Sequence, residues 1–159
     1  MNSELLRTDK DLFSKIYHKY VDTIYRISFS FLKNEDDAKD AVQEVFIKLL
    51  NSKKEYENEE HLKAWLIVTT SNYCKNIVSN WWWKRKTIEE NAVYEKSTTG
   101  KDEVLELVLG LPDKYKIPVY LYYYEGYNSR EISRIWGKPE STIRTYLQKA
   151  KKMLKEELE

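Results

Sequence analysis

Cysteine occurs once in this 159-residue chain, at Cys74, so no disulfide can form within it. A lone thiol suits a reducing compartment, and Cys74 is expected to be a small buried hydrophobe. Histidine occurs only at His18 and His61, far apart, which with one cysteine leaves no metal-ligand spacing. No glycine-rich phosphate loop can be assembled from four scattered glycines. No Ser/His/Asp or Cys/His arrangement has positional support, and Asp36-Asp37 fall at a helix start where capping explains them. No catalysis, metal or cofactor is therefore expected. No run approaches the ~18 apolar residues of a membrane-crossing helix, so no direct membrane insertion is expected. The first residues carry acids and lack an apolar stretch; no secretory signal is visible, and the expected location is cytoplasmic.

Scarcity of turn formers decides the class. With 4 Gly, 3 Pro, 33% charged and 42% hydrophobic residues, the composition suits an all-α protein with a real core better than a sheet sandwich. The net charge is only +1, but its distribution is uneven. Residues 34–60 hold nine acids against four lysines, whereas residues 75–86 hold four cations and no acid. The stretch from Gly137 to Lys155 has six Lys/Arg and one acid, Glu140.

Apolar residues over 9–32 recur with helical period, in a pattern wide enough to be covered on several sides. Asn34 offers a cap to a second helix, reaching to about Asn51 with Ala38, Ala41, Val42, Val45, Phe46, Leu49 and Leu50 inward. Residues 52–60 read as a loop, and a third helix is expected from about His61 to Trp83, with Trp65 in phase with Leu62 and Val68 and so in the core. Residues 86–101 are polar, lack a sustained period, and read as a flexible linker. An apolar run from Val104 is broken at Gly110-Leu-Pro-Asp113, and another helix follows. The expected architecture is two small helical domains, 1–85 and 102–159, joined by the linker.

Within the second domain, residues 128–147 read as a helix, a tight turn and a second helix. Ser129 is expected to cap the first, Gly137 to supply the left-handed turn residue, and Pro139 to open the second. Ile143, Leu147, Ala150 and Leu154 form an inward stripe. Away from it lie Ser141, Thr142, Arg144, Thr145, Gln148 and Lys149, with Lys151, Lys152 and Lys155 beyond. Arginine can donate two hydrogen bonds to a guanine edge, glutamine can pair with adenine, and lysines suit phosphates. This is the build of a helix-turn-helix that reads duplex DNA.

Three segments resemble the sigma-70 family of RNA polymerase sigma factors. Residues 36–50, Asp-Asp-Ala-Lys-Asp-Ala-Val-Gln-Glu-Val-Phe-Ile-Lys-Leu-Leu, look like the core-binding segment. Residues 64–72, Ala-Trp-Leu-Ile-Val-Thr-Thr-Ser-Asn, look like the promoter-reading helix that follows. Residues 111–120, 125–132 and 141–144 resemble the last module. Two modules with no domain between them are similar to the extracytoplasmic-function (ECF) subfamily. The resemblance implies a subunit that binds RNA polymerase core, directs promoter-specific initiation on promoter DNA, and is commonly restrained by an anti-sigma factor.

The resemblance also implies roles. Asp40, Gln43, Glu44 and Ile47 share a helix face and would meet the polymerase, with Phe46 and Leu50 adding apolar contact. Tyr56, Asn58, His61, Ile67, Thr69, Ser71, Asn72, Lys75 and Asn76 would meet the melted minus-ten element. Arg144, Thr145, Gln148 and Lys149 would read minus-thirty-five bases, while Ser141, Thr142, Tyr146 and Lys152 hold phosphates. Departures exist. Pro118 is expected to bend or restart its helix, and Lys138-Pro139 replaces a more usual small or apolar pair. The triplet Trp81–Trp83 is not part of the pattern. Three successive tryptophans point around a helix, and beside Lys84, Arg85 and Lys86 they suit either nucleic-acid stacking or packing on the second module. Two rival readings are a self-standing helix-turn-helix regulator with an N-terminal dimerisation module, and a helical interaction protein with no DNA role.

Overall fold

A computed structural model describes residues 3–52, 55–84 and 103–158 of the chain. The expected linker 86–101 lies outside them, as do Arg85 and the side chains of Trp82, Trp83 and Lys84. All regular structure among the described residues is helical: α1 (Ser3–Thr8), α2 (Lys10–Leu32), α3 (Glu35–Asn51), α4 (Glu59–Lys84), α5 (Glu103–Leu109), α6 (Asp113–Tyr123), α7 (Ser129–Trp136) and α8 (Glu140–Leu158). They form two compact units, α1–α4 and α5–α8.

In the first unit, α2, α3 and α4 each pack on the other two. Asp9 starts α2 by accepting the Leu12 N–H at 3.0 Å. Ile16, Tyr20, Ile24, Ile27 and Phe31 then recur every three or four residues and are buried. The helix ends at Lys33 in the left-handed region (φ 54°), the one non-glycine residue with positive φ among those described. Asn34 caps α3 through the Asp37 N–H, and three acids in the first turn suit the positive end of the helix dipole. Asn58 caps α4 by accepting the His61 N–H at 2.9 Å. That cap sets the start of α4 at Glu59, two residues before the expected one, so His61 belongs to the first turn and not to the loop. Short α1, which the sequence did not foreshadow, seals the unit by burying Leu6 against α2 and α3. Burial of a leucine of this kind contributes about 1.5–3 kcal/mol. Cys74 is buried, as expected of a small apolar side chain.

In the second unit, α8 packs on α5, α6 and α7. Its core includes Ile117, Leu121, Ile132, Ile143 and Ala150, all at 0% exposure. Helix α6 runs through Pro118 without restarting. Lys116 is buried there, with its ammonium 2.9 Å from Asp113 Oδ1. The cap of α7 is Asn128, not Ser129. Asn128 Oδ1 accepts the Glu131 N–H at 2.9 Å while Glu131 Oε1 accepts the Asn128 N–H at 3.1 Å. This reciprocal capping box leaves the Ser129 hydroxyl available for another bond. Gly137 closes α7 with φ 73°, ψ 25°, as the turn requires. The Pro139 carbonyl accepts the N–H groups of Thr142 and Ile143, so α8 begins at Glu140.

Candidate functional site

An open groove of about 660 Å³ lies between α2 and α3. Its floor is aromatic. The Phe46 ring lies 4.8 Å from that of Tyr17 and meets Phe13 edge-on at 6.2 Å. Asp22 of α2 and Lys39, Asp40, Gln43 and Ile47 of α3 also line it, the lysine being paired with Glu35. Ile47 is 42% exposed, an aliphatic side chain set beside acids on an open face. On the same helix Lys39 reaches Glu35 at 2.8 Å, and that pairing holds the Glu35 carboxyl below its ordinary pKa. Exposed apolar surface flanked by carboxylates fits a partner that presents cations around an apolar contact.

Along α4, His61, Trp65, Asn72 and Asn76 recur at helical spacing and reach solvent, with Trp65 half-buried. The loop before the helix is tied down: the Tyr56 ring meets Trp65 edge-on at 5.8 Å, and its hydroxyl donates to Ser52 Oγ at 3.2 Å. Burial raises the Tyr56 phenol above its ordinary pKa. The result is a ridge of amides, an imidazole and one indole face. Unstacked bases offer matching edges and π-faces.

The outer side of α8 carries a second, basic ridge. Ser141, Arg144, Thr145, Gln148, Lys149 and Lys152 are exposed. Behind it, the Tyr146 ring packs on Tyr115 at 5.4 Å. The Lys138 ammonium lies 5.0 Å from the Trp136 ring centroid and 5.9 Å from that of Tyr146. The Ser133 hydroxyl donates to the Lys138 carbonyl, which fixes the turn between α7 and α8. A rigid turn presenting a polar, cationic helix face is the geometry of a major-groove reader.

Comparison with known proteins decides the family. Residues 16–84 match sigma-70 region 2 and residues 101–154 match sigma-70 region 4. The RNA polymerase sigma factor SigV of Bacillus subtilis (strain 168) is 28% identical over 162 residues, covering 96% of this chain and 94% of that one. The ECF RNA polymerase sigma factor SigM of the same organism is 27% identical over 151 residues, covering 89% and 91%. This chain belongs to the ECF subfamily of sigma-70 factors. It is a transcription initiation factor that directs promoter-specific transcription. Its fold is shared by the sigma factor RpoE from Bartonella quintana, solved in complex with the anti-sigma factor NepR, at 20% identity and a TM-score of 0.68 over 94% of this chain and 98% of that one.

The sigma factor's groove gathers most of the residues expected to meet polymerase core. Asp40, Gln43 and Ile47 line it, and Leu50 is half-buried at its edge. Glu44 is exposed but does not line the groove; its charge lies beside Tyr73 of α4, whose phenol is raised first by burial and then by Glu44. Phe46 was expected to offer contact surface, but it is only 3% exposed and forms the floor, because its position falls in the inward stripe with Val42 and Leu49. The α2 wall, with Phe13, Tyr17, Val21 and Tyr25, is not among the residues expected to meet the polymerase. Its signal was the apolar pattern over 9–32, wider than one packing interface needs.

The set expected to meet the melted element divides. Asn58, His61, Asn72 and Asn76 are exposed, and Thr69 and Lys75 are half-buried. Ile67 and Ser71 are at 0% exposure and Tyr56 at 4%, so none of the three offers surface to a strand. Ile67 and Ser71 share the side of α4 that packs into the unit, and the buried Ser71 hydroxyl has no hydrogen-bond partner among the described residues. Tyr56 is drawn in by Trp65. Trp65, expected in the core, is half-buried and joins the ridge. In α8, the six exposed residues stand where expected, while Thr142 and Tyr146 are half-buried. Of the tryptophan triplet, Trp81 is half-buried, and the role expected of the remainder lies outside the described residues. No helix among the described residues is long and apolar enough to cross a membrane, and no group of three or more His, Cys, Asp or Glu among them could hold a metal.

Proposed function

We propose that this factor docks on RNA polymerase core through the α2–α3 groove, with Asp40, Gln43 and Ile47 on its rim in direct contact. The exposed ridge of α4, led by Asn72 and supported by His61, Trp65 and Asn76, takes bases of the melted minus-ten element. The outer face of α8 reads the minus-thirty-five element as duplex, with Arg144, Thr145, Gln148 and Lys149 at base edges and Ser141 and Lys152 at phosphates. The working divisions are 1–85 for the first two tasks and 102–159 for the third. The factor performs no bond chemistry of its own and acts in the cytoplasm. An anti-sigma factor is its further partner, a reading supported by the complex of the structurally similar RpoE with the anti-sigma factor NepR.

The observation that carries this reading is the separation of surfaces by chemistry: an apolar groove with Asp22, Asp40 and a Glu35-paired Lys39 on its lining in one unit, and a cationic helix face in the other. Steered binding to a polyanion requires the second, and docking on a cationic protein surface requires the first. The test is a gel shift on promoter DNA with and without polymerase core, followed by run-off transcription. The expected result is weak binding alone and sequence-specific open complexes only with core. Tight, specific duplex binding by the factor alone, with no effect of core, would instead establish the self-standing regulator.

A further inference from the structure

The first turn of α8 holds an acid that the promoter reading leaves without a task. Glu140 Oε1 accepts a hydrogen bond from the Ser129 hydroxyl at 3.1 Å, joining the starts of the two helices of the helix-turn-helix. The same oxygen lies 3.9 Å from Arg144 Nη2, one turn further along α8. The Arg144 side chain is 64% exposed, and that of Glu140 is 36% exposed. We infer that Glu140 is a positioning residue, which aims the Arg144 guanidinium into the major groove and so sets the factor's preference for a guanine in the minus-thirty-five element. This deepens the base-reading role of α8 and rests on it.

Three physical arguments meet here. Glu140 is the one acid between Gly137 and Lys155, against six cations. A carboxylate on a face that meets phosphates opposes binding to every DNA sequence equally, so it lowers the sequence-independent part of affinity. Second, an arginine free in solution samples many rotamers, and ordering it on docking subtracts from affinity. A carboxylate one turn away and itself fixed to α7 removes part of that loss. Third, the guanidinium carries five N–H donors in a plane. Ion-pair proximity to Glu140 at one edge leaves another edge for the O6 and N7 of guanine. The Ser129 tether matters because a carboxylate on a loose side chain would order nothing. Asn128 takes the capping task, which leaves the Ser129 hydroxyl for this one.

The test uses the full-length factor assembled with polymerase core. Promoter DNA is compared with DNA altered at single base pairs of the minus-thirty-five element, for the wild type, Glu140→Ala, Ser129→Ala, Arg144→Ala and the double variant Glu140→Ala/Arg144→Ala. Thermal melts confirm that each variant folds. The expected result for Glu140→Ala is a five- to twenty-fold fall in discrimination at one guanine, with binding to unrelated DNA rising several-fold. Ser129→Ala should show a smaller fall at the same base pair without the rise. In the Arg144→Ala background the added Glu140 substitution should change discrimination by less than two-fold. An equal fall at every base pair, or an effect of the same size in the double variant, would overturn the inference and leave Glu140 as a purely structural link. If Arg144→Ala itself leaves discrimination intact, the base-reading role of that arginine fails and this inference fails with it. If Arg144→Ala abolishes discrimination but Glu140→Ala does not, only the inference fails.

Discussion

Lys19 Nζ lies 2.8 Å from Glu59 Oε1, which bonds the middle of α2 to the first residue of α4. The start of α4 is also where the exposed ridge proposed to meet the melted element begins. The Lys19 hydrogen bond, followed by one from Tyr20, lowers the Glu59 carboxyl below its ordinary pKa. A carboxylate with a depressed folded-state pKa contributes stability above its unfolded pKa and loses it as the pH falls through the folded one. Both side chains are well exposed, so the contribution after screening is about 0.5 kcal/mol. The expected outcome is that wild type and Glu59→Gln differ in thermal stability near neutral pH and converge as the pH falls from about 5 to about 3. A difference that stays constant across that range would show that the carboxylate charge is irrelevant.

Lys33 ends α2 in the left-handed region, where a Cβ crowds the backbone. Glycine is the usual occupant of such a position. Lys33→Gly should therefore stabilise the factor by about 0.5–1 kcal/mol, read as a higher denaturant midpoint with an unchanged slope. Destabilisation would mean that the lysine side chain makes a compensating contact.

How far the sequence foretold these features depends on whether the signal was local. The caps at Asn34 and Asn58, the glycine turn at 137 and the inward stripe of α8 rest on neighbours within one or two helical turns, and the first and last two were legible. Asn58 illustrates the limit: the expected DNA contact is exposed, but its side-chain oxygen also accepts the His61 N–H, a capping role that the sequence pattern did not single out. Asn128 displaced Ser129 as cap because Glu131 completes a reciprocal pair, a choice between two good formers that propensity does not resolve. On α4 the sequence could not separate Ile67 and Ser71 from Asn72, because which side of a long, evenly apolar helix faces inward is set by α2 and α3. The groove itself needed two helices, α2 and α3, to be placed side by side.

Placement of the acids on α3 predicts unequal effects of charge reversal. Asp40 lines the groove and Glu44 does not. Asp40→Lys should weaken binding to polymerase core by at least ten-fold, since a like charge against a cationic partner surface costs several kcal/mol when desolvated, about 1.4 kcal/mol being enough for that factor. Glu44→Lys should have a smaller effect, confined to association rate and its salt dependence. Surface plasmon resonance with immobilised core distinguishes these outcomes. Equal losses from both substitutions would place the docking surface across the whole face of α3 and not in the groove.

On α8, Arg144 and Lys152 are both exposed cations, and they should fail differently. Arg144 stands near the start of α8, at the end that enters a major groove in a helix-turn-helix, and its guanidinium can meet a guanine at two points. Lys152 lies two turns further along, where a flexible ammonium suits the phosphate backbone. Replacing Arg144 with Ala should remove about 1–3 kcal/mol of discrimination between promoter and altered promoter. Replacing Lys152 with Ala should weaken binding to all sequences alike and reduce the slope of log affinity against log salt by about one. Salt titrations of the polymerase-bound factor on matched and mismatched promoters measure both quantities. If the two substitutions produced the same uniform loss, Arg144 would be a phosphate contact and the base readers would have to be sought at Thr145, Gln148 and Lys149.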